Sequence, residues 1–119
     1  MIDLKPQHIE AAYSLLRTLY PFDGYNLPEA DEVEFRVVKD KRLLGWHHQR
    51  TNADRTNVIS ISYRGVGHLD SLMRVLGHEL IHLAQAVNGT STKSLHNAEF
   101  YRMAEEVCDS LGWDIRIFA

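Results

Sequence analysis

Apolar residues recur every three or four positions near the start of the chain, beginning behind Pro6 and stopping before Pro21. This spacing is that of an amphipathic α-helix, and proline is a favourable residue in the first turn of a helix. The pattern predicts a first helix whose buried stripe consists of Ile9, Ala12, Tyr13, Leu16, Leu19 and Tyr20.

Two later segments alternate apolar with polar residues, as half-buried β-strands do. The first runs from Val33 to Val37, and Leu43 to Trp46 lies close enough behind it to predict a β-hairpin. A third strand is predicted from Val58 to Tyr63, in the order Val-Ile-Ser-Ile-Ser-Tyr. The residues from Trp113 to Phe118 also alternate, which predicts a short final strand.

Two long helical patterns occupy the second half of the chain. One runs from Asp70, a residue suited to an N-cap, to Val87, and Asn88-Gly89 behind it suits a left-handed C-cap. The other begins near His96 and is closed by Gly112. The order helix, strands, helix, helix, strand predicts an α+β fold with a small antiparallel sheet. We expect one domain spanning residues 1–119.

Composition and charge narrow the classes of protein to consider. The formal charge of −3 and pI near 6.1 give no global attraction to a phosphate backbone, which clustered Lys and Arg would provide. Cys108 is the only cysteine, so an intrachain disulfide is excluded and a reducing compartment fits best. The N-terminus lacks a basic segment followed by an apolar run, and no long uncharged apolar stretch occurs. We therefore expect a cytoplasmic protein with neither membrane anchor nor export signal.

The segment His78-Glu79-Leu80-Ile81-His82 carries the chemistry of the second predicted helix. Its two histidines are four residues apart, so they stand about 40° apart on one helical face and can bind one metal ion together. Glu79 lies close enough to reach a water on that metal without being a ligand. The opposite face of the helix is apolar and comprises Leu69, Leu72, Met73, Leu76, Leu80, Leu83 and Val87.

A catalytic zinc usually takes three protein ligands and keeps a fourth position for water. His96 is the preferred third ligand, because it follows a polar connection that can reverse the chain and precedes Phe100 on the inward stripe of the next helix. Glu99 is its rival, since a carboxylate from that helix could also complete the site. For His47, His48 and His68, which have no comparable spacing partner, a solvent-exposed or structural role is favoured.

Together, His78-Glu79-Leu80-Ile81-His82 and His96-Asn97-Ala98-Glu99-Phe100 resemble the SprT-like, or Spartan-like, zinc metallopeptidases. In that family the third metal histidine begins a pattern H-G-x-E-F or H-G-x-x-W, and here Asn97 stands where glycine is usual. The resemblance implies a zincin-like fold, Zn²⁺ as the cofactor, and a protein or peptide as the substrate. Many relatives also carry a cysteine-rich zinc ribbon and act on proteins attached to DNA. The resemblance thus raises DNA association, which the charge of this minimal domain does not support.

A metallopeptidase mechanism follows if the site is complete. The metal lowers the pKa of a bound water and polarises the scissile carbonyl, while Glu79 acts as general base. Candidates for a further oxyanion donor are Tyr101, Tyr63 and His68, each of which could equally be a packing or surface residue. The strand from Val58 to Tyr63 could offer a free edge to an extended peptide, or it could be an interior strand.

Two other functions remain open from the sequence. In the first, a non-catalytic protein-binding module uses zinc only to tie two helices together, as structural zinc sites do. Such a site would have no use for Glu79. In the second, the same hydrolytic site acts on a non-peptide amide or ester.

Overall fold

A computed structural model describes residues 4–40, 42–51, 56–64 and 68–118 of the chain. Four α-helices and three β-strands are present in these ranges. In chain order they are α1 (Pro6–Leu16), β1 (Val33–Val38), β2 (Gly45–Gln49), β3 (Asn57–Ser62), α2 (Leu69–Asn88), α3 (Ala98–Leu111) and α4 (Ile115–Phe118). The fold is α+β, as the sequence predicts. No helix within the described ranges combines the length and the apolar character needed to cross a membrane.

The sheet is mixed, so the predictions of an antiparallel sheet and of a β-hairpin are wrong. Its strand order is β1-β3-β2, with β3 parallel to β1 and antiparallel to β2. The connection between β1 and β2 passes the end of β3, where the Asp40 backbone N–H donates to Ser62 Oγ and that hydroxyl donates to the Asp40 carbonyl. Asp40 Oδ1 then accepts from the backbone N–H of Arg42 and Leu43, which turns the chain. These hydrogen bonds hold the connection at the end of β3, and β2 then pairs with the edge of β3 opposite to β1.

Helices α1 and α2 pack together, and α2 also lies against the sheet. The buried face of β3 presents Ile59 and Ile61 to this core, and α2 contributes Leu76 and Leu80, all four fully buried. The predicted apolar stripe of α2 therefore faces inward from Leu72 onwards, whereas its first member, Leu69, is 67% exposed at the start of the helix. This packing fixes the orientation of the opposite face of α2, which carries His78 and His82.

Both long helices begin about two residues away from the predicted start. α2 begins at Leu69 with His68 as its N-cap, two residues before the predicted cap Asp70. It ends at Gly89, whose φ of 75° is the left-handed conformation that favours glycine at a helix end. α3 begins behind Asn97, whose side chain accepts a hydrogen bond from Phe100 N, and it closes on Gly112.

The predicted final strand is wrong, because residues 115–118 form the short helix α4. The Asp114 side chain accepts from Arg116 N, and the Asp114 carbonyl accepts from the backbone N–H of Ile117 and Phe118. The helical turn also stacks the ring of Phe118 on that of Trp113, at a centroid distance of 5.6 Å. Alternation of apolar and polar residues over only six positions is too short a pattern to distinguish a helical turn from a strand.

Candidate metal centre

Three histidines meet at one face of α2. His78 and His82 lie on successive turns of the helix, with ring centroids 5.0 Å apart, and His96 approaches from the connection that leads to α3. One ring nitrogen from each histidine lies within 4.8 Å of the others. The structure thus brings together the three residues that the sequence predicts as metal ligands.

The ring of Phe100 contacts the rings of all three histidines. Its ring stacks on His96 at 4.4 Å with an interplanar angle of 5°, and its centroid lies 4.8 Å from that of His82 and 5.0 Å from that of His78. Phe100 itself is fully buried in the core. His96 is exposed, and the stack on Phe100 is the shortest of its ring contacts, which also include the stacked ring of His82 at 5.2 Å.

His78 is oriented by a backbone group of α4. Its Nδ1 lies 2.8 Å from the Phe118 carbonyl oxygen, which can only accept, so Nδ1 carries the proton and donates. That tautomer leaves Nε2 free to bind a metal, which is the arrangement usual for metal-ligating histidines. The sequence does not predict this contact, because every residue type at position 118 would supply the same backbone carbonyl.

Burial keeps two of the histidines neutral. Desolvation, together with the positive charge that His78 or His96 would carry, lowers the pKa of His82 to about 3. Desolvation also lowers the pKa of His78. Neutral imidazole is the form that binds a metal ion, so His78 and His82 are ready to do so at neutral pH.

The rival ligand Glu99 lies outside the cluster and belongs to a polar network at the start of α3. The side-chain amide of Gln85 donates to Asn97 Oδ1 at 3.0 Å and to Glu99 Oε1 at 3.5 Å. Asn97 in turn donates to the Thr90 carbonyl and to Thr92 Oγ1. Asparagine in place of the usual glycine therefore ties down the connection that carries the third histidine.

Glu79 lies beside His78 and is 5% exposed. Burial raises the pKa of its carboxyl to about 8. Among the described residues none donates a hydrogen bond to it, so desolvation is not offset by a partner. A buried carboxyl that borders an open cavity is a feature of catalytic more than of structural positions.

A cleft of about 340 Å³ lies between the histidine face of α2 and the edge strand β2. Its lining contains the three clustered histidines and Glu79, together with Leu43, Gly45, Trp46, His47, Gln85, Ser91, Thr92 and Leu95. The lining combines two exposed apolar residues, Leu43 and Leu95, with the exposed polar residues Ser91 and Thr92. The cleft can therefore hold an extended ligand against the histidine cluster.

His47 forms part of the wall of this cleft, although its sequence context favours only a solvent-exposed or structural role. It is half-buried on β2, its Nε2 lies 2.9 Å from Asn57 Oδ1, and burial lowers its pKa. By contrast, His48 and His68 are exposed and border no part of the cleft. Only the order of the strands, which the sequence pattern does not reveal, places His47 opposite His82.

The three candidate oxyanion donors differ in their distance from the histidine cluster. Tyr101 makes an edge-on contact with the His96 ring at a centroid distance of 6.2 Å. Tyr63 and His68 are exposed and do not line the cleft. Of the two possibilities for the strand at Val58 to Tyr63, the structure shows the interior one, because β3 is the central strand of the sheet. The free edge beside the cleft therefore belongs to β2.

Comparison with known proteins adds a family assignment to this geometry. A search of curated proteins gave no match. The model of the SprT-like family matches residues 11–117, a span that includes α2, α3 and all three clustered histidines. The chain therefore belongs to the SprT-like family.

Proposed function

We propose that this protein is a zinc-dependent metallopeptidase that hydrolyses peptide bonds in the cleft between α2 and β2. The observation that carries the proposal is the convergence of His78, His82 and His96 beside the buried carboxyl of Glu79. The family assignment supports it, since a metallopeptidase is compatible with SprT-like membership.

The donor set fits zinc. Three imidazole nitrogens within 4.8 Å of one another match the three-ligand arrangement of catalytic zinc sites, in which the fourth position stays open. The hydrogen bond from His78 Nδ1 to the Phe118 carbonyl supplies the outer contact that orients such a ligand. When bound there, Zn²⁺ supplies a Lewis acid and lowers the pKa of a coordinated water towards neutrality.

Glu79 is the proposed general base. In the mechanism it accepts the proton of the attacking water and later gives that proton to the leaving amine. Burial raises the pKa of Glu79 to about 8 in the metal-free protein, and a cation bound beside it would lower that pKa, so that the carboxylate form needed to accept the proton would be populated. A base whose pKa lies near the working pH is the most effective for such a shuttle.

The edge strand β2 is the proposed binding site for the substrate backbone. In the described part of the chain β2 pairs only with β3, so its other edge is open, and Gly45, Trp46 and His47 border the cleft. An extended peptide can add to such an edge through main-chain hydrogen bonds. We therefore take proteins or peptides as substrates. Association with DNA receives no support from the charge of −3.

The alternative function is a non-catalytic zinc-stabilised protein-binding module. In that case a fourth protein ligand would be expected, whereas the cluster in the described residues has three. A structural site would also gain nothing from burying Glu79 without a hydrogen-bond donor, which costs stability. Both observations favour catalysis over a purely structural metal.

The substitution Glu79→Gln tests the proposal, because it removes the base and preserves the shape of the side chain. We expect a folded, zinc-loaded protein whose peptidase rate falls by about 10²- to 10⁴-fold, the usual contribution of general-base catalysis. Zinc content by elemental analysis and cleavage of a fluorogenic peptide library are the measurements. Chelation should abolish wild-type activity and added zinc should restore it. Undiminished cleavage by the variant would refute this role of Glu79.

A further inference from the structure

A second cavity lies on the other side of His78 and Glu79 from the main cleft. Its volume is about 180 Å³, the space of about six water molecules. It shares His78, Glu79 and Gly45 with the main cleft, so the two cavities meet at the proposed reaction centre. The remaining lining residues are Leu44, Arg74, Val75, Ile117 and Phe118.

Arg74 is the cationic group of this second cavity. It lies one turn before His78 on α2, so Arg74, His78 and His82 follow one another at intervals of four residues on the same helical face. The apolar stripe on the opposite face packs into the core, and Arg74 therefore lies on the side that carries the metal centre.

Arg74 is a half-buried residue whose guanidinium forms neither an ion pair nor a hydrogen bond with any described residue. The other half-buried arginines in the described part of the chain, Arg17 and Arg50, each pair with a carboxylate. Asp70 stands one turn earlier on α2, but its Oδ1 accepts from Trp113 Nε1 at 3.3 Å. A guanidinium that no protein carboxylate occupies keeps its N–H donors free to bind a ligand carboxylate.

We propose that Arg74 binds a carboxylate group of the substrate, so that the enzyme prefers peptides carrying a carboxylate on the side of the scissile bond that lies over the second cavity. The proposal rests on the proposed peptidase function. The carboxylate is either the C-terminus of the peptide or the side chain of an aspartate or glutamate. Both present two oxygens to the planar guanidinium, whose parallel N–H groups match them in a bidentate contact.

The rest of the lining leaves Arg74 without a competing partner. Leu44, Val75, Ile117 and Phe118 have apolar side chains, which offer the guanidinium no acceptor. The lining of the main cleft contains neither Arg nor Lys. A peptide that spans the reaction centre therefore meets the guanidinium of Arg74 on one side only.

Matched peptides and variants test the proposal in the zinc-loaded protein. One peptide pair has a free or an amidated C-terminus, and a second pair has glutamate or glutamine near the scissile bond. Wild type should cleave one carboxylate form about tenfold better in kcat/KM, mainly through a lower KM. Arg74→Gln should abolish that preference. Arg74→Lys should retain part of it, because lysine keeps the positive charge but lacks the parallel N–H groups of the guanidinium. The pair that shows the preference identifies the source of the carboxylate.

Arg102→Gln is the matched control, because Arg102 is exposed on α3, borders neither cavity and its loss changes the net charge equally. It should keep the wild-type preference. If Arg74→Gln retains the preference for the carboxylate peptides, or if wild type shows none in either pair, the assignment of Arg74 is wrong.

A binding measurement separates this proposal from the proposed function. N-acetyl-leucine and N-acetyl-leucinamide are titrated into the zinc-loaded protein while the arginine Nε–H signals are followed by NMR. Wild type should bind the carboxylate at least about tenfold more tightly than the amide and shift one arginine signal, and Arg74→Gln should lose both effects. A protein that cleaves no peptide but shows this difference would refute the peptidase function and keep the carboxylate site. Equal binding of both compounds by wild type and variant would overturn the carboxylate site.

Discussion

At the scale of single residues, the three clustered histidines are held with unequal firmness. His78 has a hydrogen bond to the Phe118 carbonyl, and both His78 and His82 are half-buried on α2. His96 is exposed and precedes α3, and only ring contacts, chiefly the stack against Phe100, hold it in the described structure. The third ligand is therefore the position at which the metal site is most easily opened.

The first prediction separates His96 from its rival Glu99. His96→Ala should reduce bound zinc well below one per chain, because two imidazoles on one helix leave the ion without its third nitrogen. Glu99→Ala should keep full zinc content, since the Glu99 carboxylate is engaged by Gln85 outside the cluster. Elemental analysis after dialysis against zinc-free buffer gives the stoichiometry. Loss of zinc in Glu99→Ala together with retention in His96→Ala would reverse the assignment.

What the sequence reveals about the site depends on whether the signal is local. His78 and His82 follow from helical spacing alone, and His96 follows from its place at the head of the next helical stripe. The Phe118 carbonyl carries no residue-type signal, and His47 reaches the cleft only through the strand order. Arg74 could have been found on the same four-residue spacing as the two metal histidines, but its lack of a partner is visible only in three dimensions.

At the scale of elements, the width of the cleft depends on how closely β2 approaches α2. Gly45 is the point of contact, since a Cβ added there would lie 3.0 Å from Val75 Cγ1, 3.1 Å from Ile61 Cδ1 and 3.1 Å from the Ser60 carbonyl oxygen. Glycine at this position also borders both cavities. The close approach of strand and helix therefore sets the geometry of the proposed substrate site.

The second prediction concerns Gly45→Ala. The added methyl group overpacks the contact between β2 and α2, which should lower the free energy of unfolding by about 1–3 kcal/mol and displace the edge strand from the reaction centre. Urea denaturation and the rate of peptide cleavage are the measurements. Gly24→Ala is the control, because nothing lies within 4 Å of the added Cβ there. If both variants match wild type in stability and rate, the contact at Gly45 does not control the cleft.

The elements themselves were predictable to the extent that their patterns are long and periodic. α1, α2 and α3 each present a regular apolar stripe, from which the sequence predicts all three helices. The predicted stripe of the first helix extends too far, because α1 ends at Leu16 and Tyr20 is 63% exposed. Alternation along a strand shows which face is buried but not which strand lies beside it, so the mixed order β1-β3-β2 was missed. That order depends on the hydrogen bonds between Asp40 and Ser62, which are 22 residues apart.

At the scale of the whole molecule, α2 joins the stability of the fold to the chemistry of the site. One face of this helix supplies Leu76 and Leu80 to the core, while the other carries two of the clustered histidines. The ionisation of Glu79, which is buried on the same helix, therefore affects the free energy of unfolding of the entire chain. A pH titration of stability can detect this coupling without any substrate.

The last prediction compares the metal-free wild type with metal-free Glu79→Gln between pH 4.5 and 8.5. Burial raises the pKa of Glu79 from 4.5 to about 8, so between these values the folded state binds more protons than the unfolded state. The stability contributed by the neutral carboxyl is fully present below pH 4.5 and is lost as the pH rises towards 8. Glutamine does not ionise, so wild type should lose stability relative to the variant over this range. A change of one in pKa corresponds to about 1.4 kcal/mol, and the relative loss should exceed that value.

Subtracting the two titrations isolates Glu79 from the histidines. The lowered pKa of His82 acts in the opposite direction, because the unfolded state takes up its proton near pH 6.5 and the folded state only near 3, so stability falls as the pH falls below 6.5. This loss occurs in both proteins and cancels in the difference. Urea denaturation at each pH, in the presence of a chelator, provides the two curves. A difference that stays constant from pH 4.5 to 8.5 would show that the Glu79 carboxyl titrates as it does in the unfolded chain, and the buried base would have to be abandoned.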